Sequence, residues 1–234
     1  MNINDFIVQV ALPEHRVFAE EICDEMAESA KARGTGIAKR SPEYVAGKMV
    51  DGKAVIAFHN DGTWAGFCYI ETWSHGQFVA NSGLIVSPKF RKAGLANAIK
   101  HKIFELSRLK YPKAKIFGLT TGLAVMKINS DLGYEPVTYS ELTQDEEFWK
   151  GCQSCVNFEI LKMKERKNCM CTAMLYDPVE QKHDVAKKFA EELHKKPKLY
   201  ERFMRIKQRL VIKSKPQNKK GLKSLFLLFS ILFK

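Results

Sequence analysis

One stretch carries the clearest chemistry: Leu84-Ile85-Val86-Ser87-Pro88-Lys89-Phe90-Arg91-Lys92-Ala93-Gly94-Leu95-Ala96. An apolar strand pattern runs out at Pro88, and a helical pattern starts near Gly94. Between them lies Arg91-x-x-Gly94-x-Ala96. A turn of this kind aims backbone N–H groups into a concavity, where a helix N-terminus adds partial positive charge. Gly94 and Ala96 carry little or no side chain, so a phosphate can approach the backbone closely. Arg91 and Lys92 add full positive charge. The spacing reads as a pyrophosphate cradle. It is neither a Gly-x-x-x-x-Gly-Lys-Ser/Thr loop nor a Gly-x-Gly-x-x-Gly dinucleotide loop.

A second group of candidates is the cysteines. Cys152-x-x-Cys155 is followed by Cys169-x-Cys171. Cys-x-x-Cys is a common half-site for zinc, and a tetrahedral site needs four ligands. Cys-x-Cys on a strand presents both thiols on one face. The spacing therefore admits a structural zinc, while buried unligated thiols are the commoner outcome for such cysteines. Cys23 and Cys68 read as core residues.

The elements that position these residues follow from periodicity. Phe6–Ala11 alternates as a strand, and Pro13-Glu14 opens an amphipathic helix to about Ala32. Arg33-Gly34-Thr35-Gly36 breaks it. Ser41 is placed to cap a second helix, with Pro42 at its first position. Strands are expected over Ala54–Phe58, Trp64–Thr72 and Gln77–Val86, with Asn60-Asp61-Gly62 as the first hairpin turn and Ser74-His75-Gly76 as the second link. A long helix follows over Leu95–Tyr111. Then come a strand over Ala114–Thr121, a helix over Leu123–Leu132, a strand opened by Gly133-Tyr134-Glu135-Pro136-Val137, a short helix from Thr143 and a last strand over Cys169–Tyr176. The order β-α-α-β-β-β-α-β-α-β predicts an α/β (α+β) mixed sheet with helices on both faces.

Charge divides the chain. The formal net charge is +12 over 234 residues, but from Lys182 onward 16 basic side chains face 4 acidic ones, which accounts for all of it. The first 181 residues are neutral overall, so the basic balance is no nucleic-acid signature of the fold. Two regions are expected: residues 1–180, and a basic helical extension over residues 181–234. In the extension, Phe189–Val211 reads as a cationic amphipathic helix, 216–220 as a linker, and Leu222–Phe233 as an apolar run too short to span a bilayer. Such a tail suits an anionic membrane surface or serves as a solubilising extension. Nucleic acid is not expected there, for want of interleaved aromatics. Met1–Asp5 lacks a basic-then-apolar leader, and six cysteines without an export signal point to reduced thiols in a cytoplasm.

The cradle and the element order together resemble the GNAT acyltransferase superfamily, over roughly residues 3–140. Its acyl-CoA loop is Arg/Gln-x-x-Gly-x-Gly/Ala between a strand and a long helix. The resemblance implies a GNAT fold in which Arg91, Lys92, Ala93, Gly94, Leu95 and Ala96 surround the pyrophosphate of acetyl-CoA. Backbone from Leu84, Ile85 and Val86 would meet the pantetheine arm and polarise the thioester carbonyl. Phe117-Gly118-Leu119-Thr120-Thr121 and Gly133-Tyr134-Glu135-Pro136-Val137 are similar to the GNAT domain of N-acetylglutamate synthases, with Tyr134 for a Phe. Where many members carry an aromatic at the cofactor, often a Tyr acting as acid, this chain has Asn129.

The resemblance also implies an acceptor site. Many members use a Glu on the fourth strand as base, and Gln77–Val86 contains none. Glu71, in an apolar-aromatic stretch, and His75 are the substitutes. Each has a plainer alternative, Glu71 as a solvent-facing strand residue and His75 as an exposed turn residue. Arg33, Lys39 and Arg40 lie in the loop that covers the acceptor in GNAT enzymes and suit a carboxylate clamp. Thr120 and Thr121 end a strand at the cleft, with Asn81 and Ser82 as further polar candidates. The implied activity is transfer of an acetyl or succinyl group from CoA to the α-amine of L-glutamate, in arginine biosynthesis, by a short form without an amino-acid-kinase domain and able to form a homodimer. Acylation of another small amine or a protein N-terminus, and acyl-CoA sensing without turnover, remain open.

Overall fold

The computed structural model describes residues 2–34 and 39–181. The chain divides into two units, Met1–Asp177 and Pro178–Lys234. The basic helix, linker and apolar run expected beyond Lys182 lie outside the described residues. Among the described residues no helix is long and apolar enough to cross a membrane.

The first unit opens with β1 (Phe6–Val10), a 3-10 segment (Pro13–Phe18), α1 (Ala19–Arg33) and α2 (Pro42–Val50). Three strands follow, β2 (Ala54–His59), β3 (Trp64–Trp73) and β4 (Phe78–Val86). Then come α3 (Leu95–Lys110), β5 (Lys115–Thr120), α4 (Leu123–Asp131), β6 (Glu135–Val137), α5 (Glu146–Lys150), α6 (Phe158–Met163) and β7 (Thr172–Tyr176). The sheet order is β1-β2-β3-β4-β5-β7-β6. β1 to β4 are antiparallel neighbours, β4 and β5 run parallel, and β7 inserts antiparallel between β5 and β6. The expected mixed sheet is present. Insertion of the last strand between two earlier ones is a tertiary choice that local periodicity does not encode.

Local chemistry accounts for the element ends. The Ser41 hydroxyl accepts the Tyr44 N–H at 3.2 Å, with Pro42 at the first position of α2. Gly62 turns the β2–β3 hairpin at φ +85°, and the His59 N–H reaches the Thr63 carbonyl at 2.9 Å. The first helix differs from expectation: its opening turn is 3-10 before α1 proper begins, as is frequent at helix entries. The last strand also differs, starting at Thr172 instead of Cys169. Thr172 pairs with Thr120, the last residue of β5, so Cys169 and Cys171 have no neighbouring β5 residue to pair with.

The core has layers on both faces. α3 packs Leu95, Ile99 and Ile103 against Ile70, Val79 and Ile116. On the opposite face α1 and α2 bring Ile22, Met26, Val45 and Met49 against Ile56, Phe67 and Ile85. Trp149 and Leu161, from α5 and α6, cover Phe117 and Leu175. β3 is buried from Trp64 to Glu71, which explains its nearly unbroken apolar run.

Two irregularities open this sheet at its centre. The β4–β5 ladder ends at Ala80↔Phe117, while β4 continues to Val86 and β5 to Thr120. The strands part there. In the same half of β4 the register with β3 shifts between Phe67↔Ile85 and Tyr69↔Ser82, so Gly83 and Leu84 face Cys68 as a bulge.

Candidate active site

The parted strands lead into the turn Ser87–Gly94, and backbone conformation shapes that turn. Phe90 anchors it in the core, stacked on His59 at 5.2 Å and edge-on to Phe6 at 5.4 Å. Lys92 lies at φ +68° and Gly94 at φ +80°. Gly94 begins α3 as an N-cap without a side-chain cap, and the first turn of α3 holds no acidic residue. The Asn97 and Ala98 N–H groups return to the Gly94 carbonyl. Amides at the start of a long helix, uncapped and with no nearby carboxylate of its own, are suited to a phosphate. A Cβ at Gly94 would meet nothing within 4 Å. Glycine is therefore required there by the left-handed backbone, and the space before it is open.

Arg91 departs from the sequence expectation. Its Nε donates to the Val86 carbonyl at 3.1 Å, and its Nη2 donates to Ser29 Oγ at 2.6 Å and to Glu25 Oε1 at 3.0 Å. Ser29 in turn donates to Glu25. The guanidinium pins the turn to α1 and spends its charge there. Lys92 remains exposed at the turn, and Ala93, Leu95 and Ala96 follow into α3.

Gly83 was not singled out in the sequence and is the most constrained residue of β4. It lies at φ +64°, and a Cβ would sit 2.4 Å from Tyr69 Cε1 and 2.8 Å from Met26 Cε. Leu84 and Val86 pack toward α3, and Ile85 is buried toward α1 and α2. Beside the bulge, Asn81 links the elements that flank the parting: it donates to Ser107 Oγ on α3 at 2.8 Å and accepts from the Tyr134 hydroxyl at 3.1 Å.

On the face toward α2, Glu71 is 4% exposed. Its Oε1 accepts from Arg40 Nη2 at 3.0 Å and from the Tyr44 hydroxyl at 2.6 Å. Arg40 Nε donates to the Tyr69 hydroxyl at 3.1 Å, and Nη1 to the Lys39 carbonyl at 3.2 Å. The expected alternative for Glu71, a solvent-facing strand residue, does not hold. Burial works against the Arg40 charge, and the Tyr69, Glu71 and Tyr44 oxygens more than offset it, so the guanidinium is held firmly protonated. Burial and then Glu71 push the Tyr44 hydroxyl up, and Tyr69 shifts the same way for the same reasons. Sequence reasoning found Glu71 and Arg40 but not Tyr44 or Tyr69. The usable signal was Tyr69-x-Glu71, two strand residues on one face, with Ser41 fixing Tyr44 on the first turn of α2.

The other expected residues disperse. His75 is exposed in the β3–β4 link, in left-handed backbone at φ 54°, and among the described residues no hydrogen bond ties it to Glu71. Arg33 is exposed in the last turn of α1, and residues 35–38 lie outside the described residues. The Lys39 N–H donates to Ser154 Oγ at 3.2 Å, tying the loop to the segment that carries Cys152. Thr120 Oγ1 accepts the Gly122 N–H at 3.0 Å, and Thr121 is exposed beside it. Asn129 is 1% exposed and donates to Met174 Sδ, while among the described residues its Oδ1 has no partner. Such an orphaned acceptor suits a ligand or a water.

Cys152, Cys155, Cys169 and Cys171 are all free thiols within electrostatic reach of Tyr139, whose hydroxyl donates to the Cys171 carbonyl at 2.8 Å. Burial pushes the Cys152 thiol up to about 11 and Cys171 up to about 12, with neighbouring cysteines adding to both. Among the described residues no group of three or more His, Cys, Asp or Glu stands close enough to hold a metal ion. The zinc expectation is corrected accordingly. Its strand argument also fails, since Cys169 and Cys171 precede β7.

No family model matches the chain. No curated protein sequence matches it either. Solved structures do. N-acetylglutamate synthase from Neisseria gonorrhoeae, complexed with coenzyme A and N-acetyl-glutamate, matches with a TM-score of 0.53 at 16% identity, over 74% of this chain and 35% of that one. The chain thus spans about a third of that relative's length. A Mycobacterium tuberculosis protein in complex with CoA and NLQ matches with a TM-score of 0.51 at 16% identity, over 73% of this chain and 98% of its own. A GNAT phosphinothricin acetyltransferase from Sinorhizobium meliloti, in complex with AcCoA, matches with a TM-score of 0.50 at 13% identity, over 74% and 88%. At such identities the likeness speaks for architecture, and on it, together with the parted β4–β5 pair and the uncapped α3 turn, this chain has the GNAT acetyltransferase fold.

Proposed function

We propose that the chain is an acyl-CoA-dependent N-acyltransferase that moves an acetyl or succinyl group to the α-amine of a small amino acid, L-glutamate first, by direct attack in a ternary complex. The observation that carries this reading is the parting of β4 from β5 beyond Ala80↔Phe117, directly before an uncapped α3 N-terminus at Gly94. A thioester lying along β4 has its diphosphate at the α3 amides and its carbonyl near the bulge at Gly83. Fixed backbone N–H groups there need no reorganisation as charge develops on the carbonyl oxygen. Holding both reactants in one cleft supplies much of the remaining acceleration.

The acceptor enters from the α2 face in this reading. Glu71 pairs the incoming ammonium and receives its proton directly or through water. Arg40 keeps two of its five N–H groups beyond its three hydrogen bonds, enough to pair a substrate carboxylate, with Arg33 and Lys39 as further cations. Thr120 and Thr121 offer hydroxyls at the end of β5. Glutamate is supported by the sequence resemblance and by the N-acetyl-glutamate in the gonococcal complex, and it would place the protein in arginine biosynthesis. The six free thiols fit a cytoplasmic setting.

One observation favours a second reading, acyl-CoA binding without turnover. Asn129, which cannot donate a titrating proton, stands where a phenol is common. Thiol release from acetyl-CoA or succinyl-CoA with a panel of amines separates the readings. Release that requires L-glutamate supports the first. Release with another amine keeps the chemistry and discards the acceptor, and binding without release moves the weight to a sensor.

A further inference from the structure

Lys100, on the face of α3 that looks into the sheet, is 2% exposed. Among the described residues its ammonium makes no ion pair and no hydrogen bond. Its surroundings are the face of Tyr134, 5.3 Å from Nζ, and the Cys68 thiol. A buried ammonium without an anion is costly, and among the described residues no carboxylate pairs with it to offset the cost.

The position of that cation is specific. Tyr134, which it overlies, hydrogen-bonds Asn81, the first β4 residue beyond the last β4–β5 pair. Cys68, its other neighbour, donates to the Ser82 carbonyl at 3.3 Å, beside the bulge at Gly83. Through Tyr134 Lys100 is one contact away from the point where the strands separate, and Cys68 beside that point acts on its charge. In the acyltransfer reading the thioester sulfur comes to that point, and the reaction leaves it as a thiolate.

Resting on that reading, we propose that Lys100 is the acid that protonates the departing thiolate. The acceptor nitrogen forms its bond to the carbonyl carbon, and the C–S bond breaks with its electron pair on sulfur. A proton passes from the Lys100 ammonium to sulfur. The acceptor ammonium has given its first proton to Glu71 before attack, the nitrogen of the new amide sheds its second to solvent, and Lys100 and Glu71 regain their starting charges by exchange with solvent. Neither oxidant nor further reactant enters.

Burial brings the Lys100 ammonium down to about 8, with Cys68 opposing the shift, so the group can give up a proton near neutral pH. Tyr134 is the poorer donor: its proton is held by Asn81, and burial drives its ionisation well up. The other titrating or charged groups around it are Tyr176, 6.0 Å from the Tyr134 ring, and Arg108, which lies over Tyr176. Neither faces Lys100 directly.

The test uses the full chain with coenzyme A itself, following thiolate absorbance in the ultraviolet as pH is raised. In the wild type the bound thiol and Lys100 titrate as a coupled pair, and thiolate appears at lower pH than in free coenzyme A because it is formed while the ammonium still carries its charge. In Lys100→Met the bound thiol should ionise about one unit or more higher than in the wild type. Turnover in that variant should fall about 100-fold with the KM for acyl-CoA little changed. The wild-type rate should decline as pH rises through about 8, where the acid loses its proton, and Lys100→Arg should abolish that decline. A bound wild-type thiol that titrates like free coenzyme A overturns the proposal without any variant. So does a Lys100→Met protein that binds coenzyme A with the wild-type titration. Failure of the wild type to bind coenzyme A at all would instead remove the acyl-CoA reading and this proposal with it.

Discussion

In the proposed function the groups that would meet the acyl donor are backbone: the amides of the Ser87–Gly94 turn and α3, and the edge of β4 freed where β5 departs. On the acceptor side they are side chains, Arg40, Tyr44, Tyr69 and Glu71, drawn from the entry to α2, from α2 itself and from β3. The donor side is rigid through left-handed residues at Gly83, Lys92 and Gly94. The acceptor side is rigid through a buried ion pair with two phenols around it. In the proposed function, backbone groups would recognise a feature common to all CoA thioesters, their diphosphate and carbonyl. Side chains are the part that can be exchanged to suit a different acceptor.

The two sides should therefore break differently. Arg40→Met leaves the Glu71 carboxylate buried without its cation, and loss of one partner of such a pair costs about 3–5 kcal/mol. The melting temperature should drop by roughly 10 °C, and the double variant Arg40→Met/Glu71→Gln should recover part of it. Coenzyme A binding should survive in either protein, because the hydrogen bonds of the Arg40 and Glu71 side chains go to Tyr69, Tyr44, Lys39 and each other and none to the Ser87–Gly94 turn. Loss of coenzyme A binding in Arg40→Met at a temperature where it is folded would erase the distinction between the sides.

Gly83→Ala should have the next largest effect and should cross the boundary. The added methyl meets Tyr69 at 2.4 Å and Met26 at 2.8 Å on a backbone at φ +64°, a strain of about 1–3 kcal/mol. Because Tyr69 also holds Arg40, donor affinity and acceptor KM should both worsen. Worsening of only one would show that the bulge serves a single side.

Gly94→Ala should be the mildest. No neighbour stands within 4 Å, so the cost is the left-handed backbone alone, about 1–2 kcal/mol. The KM for acyl-CoA should rise several-fold with the acceptor KM unchanged, as read by steady-state kinetics at saturating co-substrate.

The same contrast explains what was legible in the sequence. The turn and α3 are a local matter, written in Pro88, Gly94 and the change of hydrophobic period, so the strand–turn–helix junction and the fold class were readable. The bonds of Arg91 to α1 were not legible because its partners, Glu25 and Ser29, are more than sixty residues away in the chain. Tyr44, Tyr69 and Lys100 were missed for a similar reason: a tyrosine or lysine at a core-facing position has no local mark until packing shows what it faces. The cysteines failed in the opposite way. Their spacing is local, but the structure leaves Cys169 and Cys171 in a loop before β7, and spacing alone does not close a metal site.

The central claim is that the freed edge of β4 and the first turn of α3 hold the acyl donor. Backbone hydrogen exchange with and without coenzyme A tests it directly. The predicted result is slowed exchange at 81–86 and at 93–98, with the Arg40–Glu71 region unchanged until an acceptor is added. Protection confined to other segments, under conditions where coenzyme A is bound, would contradict it.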